Sequence, residues 1–104
     1  MSIKINREVV CQDGFRMSVQ ANGGTYCTPR TTDAPAYTAV EVGYPNREEP
    51  LLMDWCEDSN WPMDTVYAYV PASVIATVCA KHGGIVSGEL PPGIPYLKSK
   101  EGAE

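Results

Sequence analysis

The residues of this 104-residue chain best suited to chemistry are its four cysteines and single histidine. Structural zinc sites take their ligands in pairs about two residues apart, because one turn then aims two thiolates at a single ion. Cys79 and His82 are suitably close, but Cys11, Cys27 and Cys56 stand alone and there is no Cys-x-x-Cys. Neither a metal nor any other cofactor is expected. The same Cys79–His82 pair is spaced for a thiol nucleophile and its base, which requires a depressed thiol pKa. Periodicity instead places Cys79 on the apolar stripe of a helix near its C-terminus, where the dipole disfavours a thiolate. A buried cysteine beside a helix-terminal histidine is the expectation, and the chain is read as not an enzyme.

The carboxylates concentrate between Asn46 and Asp64, where Glu48, Glu49, Asp54, Glu57, Asp58 and Asp64 are opposed only by Arg47. No two of them are marked out as an acid–base pair, and the acids are expected to face water. Asn22-Gly23-Gly24 lacks the lysine and following helix of a phosphate loop. Arg16 and Arg30, with Tyr26, are the residues that could line an anion pocket. Tyrosine and tryptophan are the commonest interface anchors. Trp55, Trp61, Glu57, Asp58, Tyr67 and Tyr69 therefore make the candidate partner-binding set, an acidic surface bearing aromatics. Tyr37, Tyr67 and Tyr69 fall on the less apolar strand faces, so they form either an exposed platform or, if a helix covers that face, part of the core.

Composition narrows the partners. A net charge of -5 with the basic residues scattered gives no stripe to neutralise phosphates, so direct nucleic-acid binding is not expected. No apolar run approaches the ~20 residues of a membrane-spanning helix. The opening residues Met1 to Arg7 are charged and alternating rather than an apolar leader, which points to the cytoplasm and to free, mostly buried thiols.

These residues must be positioned by a small set of elements. Ile3, Ile5 and Val9 alternate with polar residues as a strand does, and Asp13-Gly14 predicts a two-residue hairpin turn. Phe15 to Ala21 is the second strand, Tyr37 to Tyr44 the third, and Thr65 to Val70 the fourth, with Val66, Ala68 and Val70 sharing one face. Leu51, Leu52, Trp55 and Cys56 predict a short amphipathic turn or helix. Pro71 suits the first turn of the main helix, whose stripe is Val74, Ile75, Val78, Cys79 and His82, closed by Gly83-Gly84. Ile85 and Val86 begin a last short strand. The expected class is α+β, a mostly antiparallel sheet of four to five strands with one main helix on a face. Residues 1–88 form the domain, and 89–104 a proline-rich extended segment with a polar tail, containing a Pro92-x-x-Pro95 match.

Val10-Cys11-Gln12-Asp13-Gly14-Phe15-Arg16-Met17-Ser18-Val19-Gln20-Ala21, with Tyr26-Cys27-Thr28-Pro29-Arg30, Val40-Glu41-Val42-Gly43-Tyr44-Pro45 and Val66-Tyr67-Ala68-Tyr69-Val70-Pro71, resembles small accessory proteins encoded by tailed bacteriophages. The group brings no catalytic motif, so no residue role is carried over. The resemblance implies a product made in the cytoplasm of an infected bacterium, and by analogy a protein that binds a host protein, including one of a defence system. The leading expectation is thus a non-enzymatic binder of a bacterial host protein, with no nucleic-acid or membrane partner and homodimerisation left open. Sequestration of a nucleotide or small anion, and a minor virion or assembly role, are the alternatives.

Overall fold

A computed structural model describes residues 4–100. Five strands, β1 (Val9–Cys11), β2 (Arg16–Gln20), β3 (Ala39–Gly43), β4 (Val66–Pro71) and β5 (Ile85–Ser87), build one sheet in the order β4-β3-β2-β1-β5. Every neighbouring pair is antiparallel. The one α-helix, α1 (Ala72–Lys81), follows β4 directly, and a 3-10 helix occupies Pro50–Trp55. The protein is therefore a small α+β domain.

Alternation fixes which face is dry. Val9, Cys11, Met17, Val19, Val40 and Val42 are each 0–1% exposed, and Ile75, Val78 and Cys79 of α1 and Leu52 of the 3-10 helix join the same cluster. The opposite face carries Ser18, Gln20 and Glu41, all half-buried, as a half-wet antiparallel sheet should. On α1 the apolar stripe reads as its spacing predicts, with Val74 at its margin. Pro71 sits one position before the first helical residue, its φ of -61 already suited to the turn. At the other end Gly83 and Gly84 take φ of +89 and +88, and Gly84 N–H bonds back to Cys79 O at 2.8 Å.

Local geometry departs from the sequence expectations in four places. The β1–β2 loop has three residues rather than two. Cys11 pairs with Phe15, and only Gly14 has positive φ (+91), a type I turn closed by a left-handed glycine. Asp13 is thereby free to accept from Phe15 N–H through its side chain at 3.0 Å. In β4, Val42 pairs with Tyr67 but Val40 with Val70, so one extra residue bulges out, with Tyr69 at φ +56. The bulge switches faces mid-strand: Tyr67 and Val70 both point inward, and Val66 does not. At the N-terminal end, 4–8 is not strand and Ile5 is 69% exposed, while Ile3 lies outside the described residues. Finally, the proline-rich extended segment docks on the domain, and the tail begins paired at Lys98 and Ser99. Pro92 O accepts from Tyr37 N–H, Ile85 exchanges bonds with Leu97 and Ser99 in a parallel bridge, and Ile94 is buried.

Candidate functional site

The acidic segment divides in two. In its first half Glu49 and Leu52 fold inward while Glu48 and Asp54 stay exposed. Pro50 at the start of the 3-10 helix needs no N–H partner, and Glu49 caps it through Leu51 N–H at 2.8 Å. Trp55 and Cys56 pack half-buried against the core. The second half turns outward. Two successive turns, Trp61 N–H to Asp58 O at 3.0 Å and Asp64 N–H to Trp61 O at 2.9 Å, hold Trp61 at 65% and Met63 at 53% exposure. Glu57, Asp58 and Asp64 are exposed beside them.

Of the residues expected on a partner-binding surface, Trp61, Glu57 and Asp58 come together on this loop. Trp55 lies half-covered at its base. Tyr67 does not belong to the surface: it is 0% exposed, and its hydroxyl donates to Pro62 O at 2.5 Å, tying the outer loop to β4. Burial, then a hydrogen bond with Cys56, raises its pKa, so this phenol stays protonated. Tyr37 is also core, at 3% exposure. Tyr69 is 44% exposed but lies toward the far end of β4, where its ring tilts against Tyr26 at 5.8 Å.

The suggested anion set is likewise split. Arg30 lies over the Tyr26 ring at 5.1 Å, and Tyr26 N–H donates to Glu41 at 3.1 Å, so a carboxylate already faces this pair. Arg16 begins β2 while Gln20, the partner of Glu41, ends it. Four steps along the strand separate Arg16 from Gln20, roughly 13 Å.

One cluster escaped the sequence reading. Glu49, expected in solvent with the other acids, is 1% exposed. Its Oε1 lies 2.6 Å from His82 Nε2 and its Oε2 accepts from Lys81 Nζ at 2.9 Å. His82 Nδ1 lies 2.6 Å from Asp13 Oδ2, and Arg47 reaches the same carboxylate at 3.7 Å. The Phe15 ring stacks flat on the imidazole at 4.2 Å. Burial lowers the His82 pKa, but the two carboxylates outweigh it and the net shift is upward. For Glu49 burial pushes up, while the Leu51 amide, His82 and Lys81 bring it below its ordinary value. Asp13 is lowered for similar reasons: His82, the Phe15 amide and Arg47 overcome desolvation. The signals available were the helix C-cap position of His82 and the fixed Asp13 turn, but nothing in the spacing brings Glu49 to them.

The arrangement is a clamp. Both imidazole nitrogens are engaged and His82 is buried, so the ring ties the β1–β2 turn, the start of the 3-10 helix and the end of α1 together. Cys79 does not engage His82 but hydrogen-bonds Cys11, which raises the Cys79 thiol and lowers that of Cys11; all four thiols are free. Among the described residues no group of three or more His, Cys, Asp or Glu side chains is arranged to hold a metal ion, and no helix is long and apolar enough to cross a membrane. Comparison with protein-family models, with curated proteins and with solved structures finds no match to this chain.

Proposed function

We propose that the chain is a non-enzymatic binding protein that docks, through the acidic loop 57–64, on a basic surface of a bacterial host protein in the host cytoplasm and thereby modulates or inhibits it. The observation that carries this reading is the exposure of Trp61 and Met63, 65% and 53%, with Glu57, Asp58 and Asp64 around them. A large apolar ring held out by two backbone turns and rimmed by charge has the composition of an interface anchor. Covering the exposed part of such a ring, on the order of 130 Å², is worth roughly 3 kcal/mol, about a hundredfold in affinity. The acids steer encounter with a cationic partner and make it sensitive to salt. The bacterial context rests on the likeness to phage accessory proteins.

The test is quantitative capture from bacterial lysate by the unaltered chain, by Trp61→Ala/Met63→Ala and by Asp58→Lys, with Tyr96→Ala as an exposed control. A host protein retained at near stoichiometry should be lost with the first two variants and at high salt, and kept with the control. Retention that ignores Trp61 and Met63, or no retained protein at all, removes the proposal.

A further inference from the structure

A cleft of ≈ 300 Å³ opens between the residues preceding β1, the 21–34 loop and the docked segment Leu90 to Pro92. That is the small end of the range occupied by ligand sites. Its walls are apolar where Ala21, Ala34, Tyr37, Leu90 and Pro92 line it. The Tyr37 hydroxyl is committed on both sides, donating to Thr31 O at 2.6 Å and accepting from Ala34 N–H at 3.2 Å, so Tyr37 contributes only ring surface.

Three uncharged polar side chains with hydrogen-bonding capacity to spare line the same space. Asn22 is only 5% exposed; its Oδ1 accepts from Gly24 N–H at 2.8 Å, while its side-chain NH2 has no acceptor among the described residues. Every fully enclosed side-chain nitrogen or oxygen among those residues has a partner, so this NH2 is not fully enclosed, and Asn22 lines the cleft. Thr32 Oγ1 accepts from Gly23 N–H at 3.0 Å, which leaves its hydroxyl hydrogen to give. Asn6 spends its NH2 on Val19 O at 3.3 Å and receives nothing at Oδ1. The charges cancel. Lys4 is paired with Glu89, which also holds Arg7, and Asp33 adds a carboxylate to the lining.

We propose that this cleft binds a cyclic imide, two carbonyls flanking one N–H, the edge that uracil and thymine present, as a free base or nucleoside. Among the uncharged groups, two donors and one acceptor complement that edge in number and kind. The apolar walls suit a flat heterocycle, and the balanced charge offers a phosphate no cradle. The Asn22 NH2, which has no acceptor among the described residues, gains a directed one from such an occupant. The cleft shares no residue with the Trp61 loop, so this proposal stands apart from the partner-binding one.

Titration of isotopically labelled protein with uridine and thymidine, followed by NMR, should shift the Asn22 side-chain amide and the 21–34 backbone, with a dissociation constant on the order of 0.1–1 mM. N3-methyluridine, which lacks the N–H, and cytidine, which lacks the imide, should bind about tenfold more weakly or less. Asn22→Asp keeps the oxygen that Gly24 needs and removes the NH2; uridine affinity should fall about tenfold. Because a carboxylate at so buried a position can itself unsettle the loop, the ligand series on the unaltered chain decides the matter independently. Uracil, uridine and uridine monophosphate separate base, nucleoside and nucleotide. No shift at about 10 mM uridine or thymidine, cytidine binding as tightly as uridine, or a monophosphate more than tenfold tighter than its nucleoside would each overturn the proposal.

Discussion

Replacing Glu49 with glutamine keeps the shape of the side chain and removes one buried charge, so it isolates what the His82 clamp contributes. Glu49 accepts from Leu51 N–H, Lys81 and His82 at 2.8, 2.9 and 2.6 Å. Breaking a buried ion pair by removing one partner costs about 3–5 kcal/mol. Lys81 is 45% exposed and regains water, so the expected loss is smaller, about 2–4 kcal/mol near pH 6. For a domain that is stable by only ~5–15 kcal/mol, that lowers Tm by roughly 10–20 °C.

The loss should also depend on pH in one direction. His82 has a folded pKa raised above its ordinary 6.5, so its contribution is full below that value and fades as pH rises through the folded one. With glutamine present, the neutral imidazole can donate from Nδ1 to Asp13 and accept the new amide at Nε2, a satisfied arrangement in which Asp13 alone still favours the proton and the preference for it is weaker. The difference between the two proteins should therefore be largest near pH 6 and shrink to about 1–2 kcal/mol by pH 9. Urea denaturation followed by tryptophan fluorescence, at intervals from pH 5.5 to 9, measures it. A loss under about 1 kcal/mol at pH 6, or one that does not change with pH, would refute the clamp. On the acid side the sign reverses: Asp13 and Glu49 are lowered, so both proteins lose stability as pH falls through the carboxylate range, the unaltered one by more.

Two further outcomes follow from the packing. Gly84→Ala puts a Cβ 2.7 Å from Ser99 Cα at a φ of +88, where neither atom can yield without breaking the Ile85–Ser99 pairing; denaturation should show a loss of about 2–4 kcal/mol, and one below about 1 would mean the 97–99 segment is not held as described. In a maleimide pulse read by mass spectrometry, half-buried Cys56 should label first, with Cys11, Cys27 and Cys79 protected until the chain unfolds; early labelling of Cys79 would contradict its place in the core.

Periodicity and punctuation were enough to determine the class of this domain. The period-two runs around Met17–Val19 and Val40–Val42 gave two central strands. The stripe from Val74 to His82 gave the helix, and Gly83-Gly84 its end, because these signals are local and each is set by a few neighbouring residues. Leu51 and Leu52 likewise marked a short helical turn. The exposure of Trp61, Glu57 and Asp58 on one loop was legible because an exposed loop needs no partner to define it.

Tertiary structure alone decided the rest. Alternation in β4 puts Tyr67 and Val70 on opposite faces and leaves open which is covered, but pairing with β3 inserts a bulge at Tyr69 that turns both inward; register is a property of two strands, not one. Glu49 reads as one more acid in an acidic run, and only the return of the 3-10 helix across α1 brings it to His82 and Lys81, 33 and 32 residues further along the chain. The cleft has the same origin. Asn6, Asn22, Thr32 and Pro92 converge on it from three separate stretches, and the docked 89–99 segment closes one of its sides. Buried charge and shared cavities depend on contacts between distant residues, and composition and spacing carry no record of those.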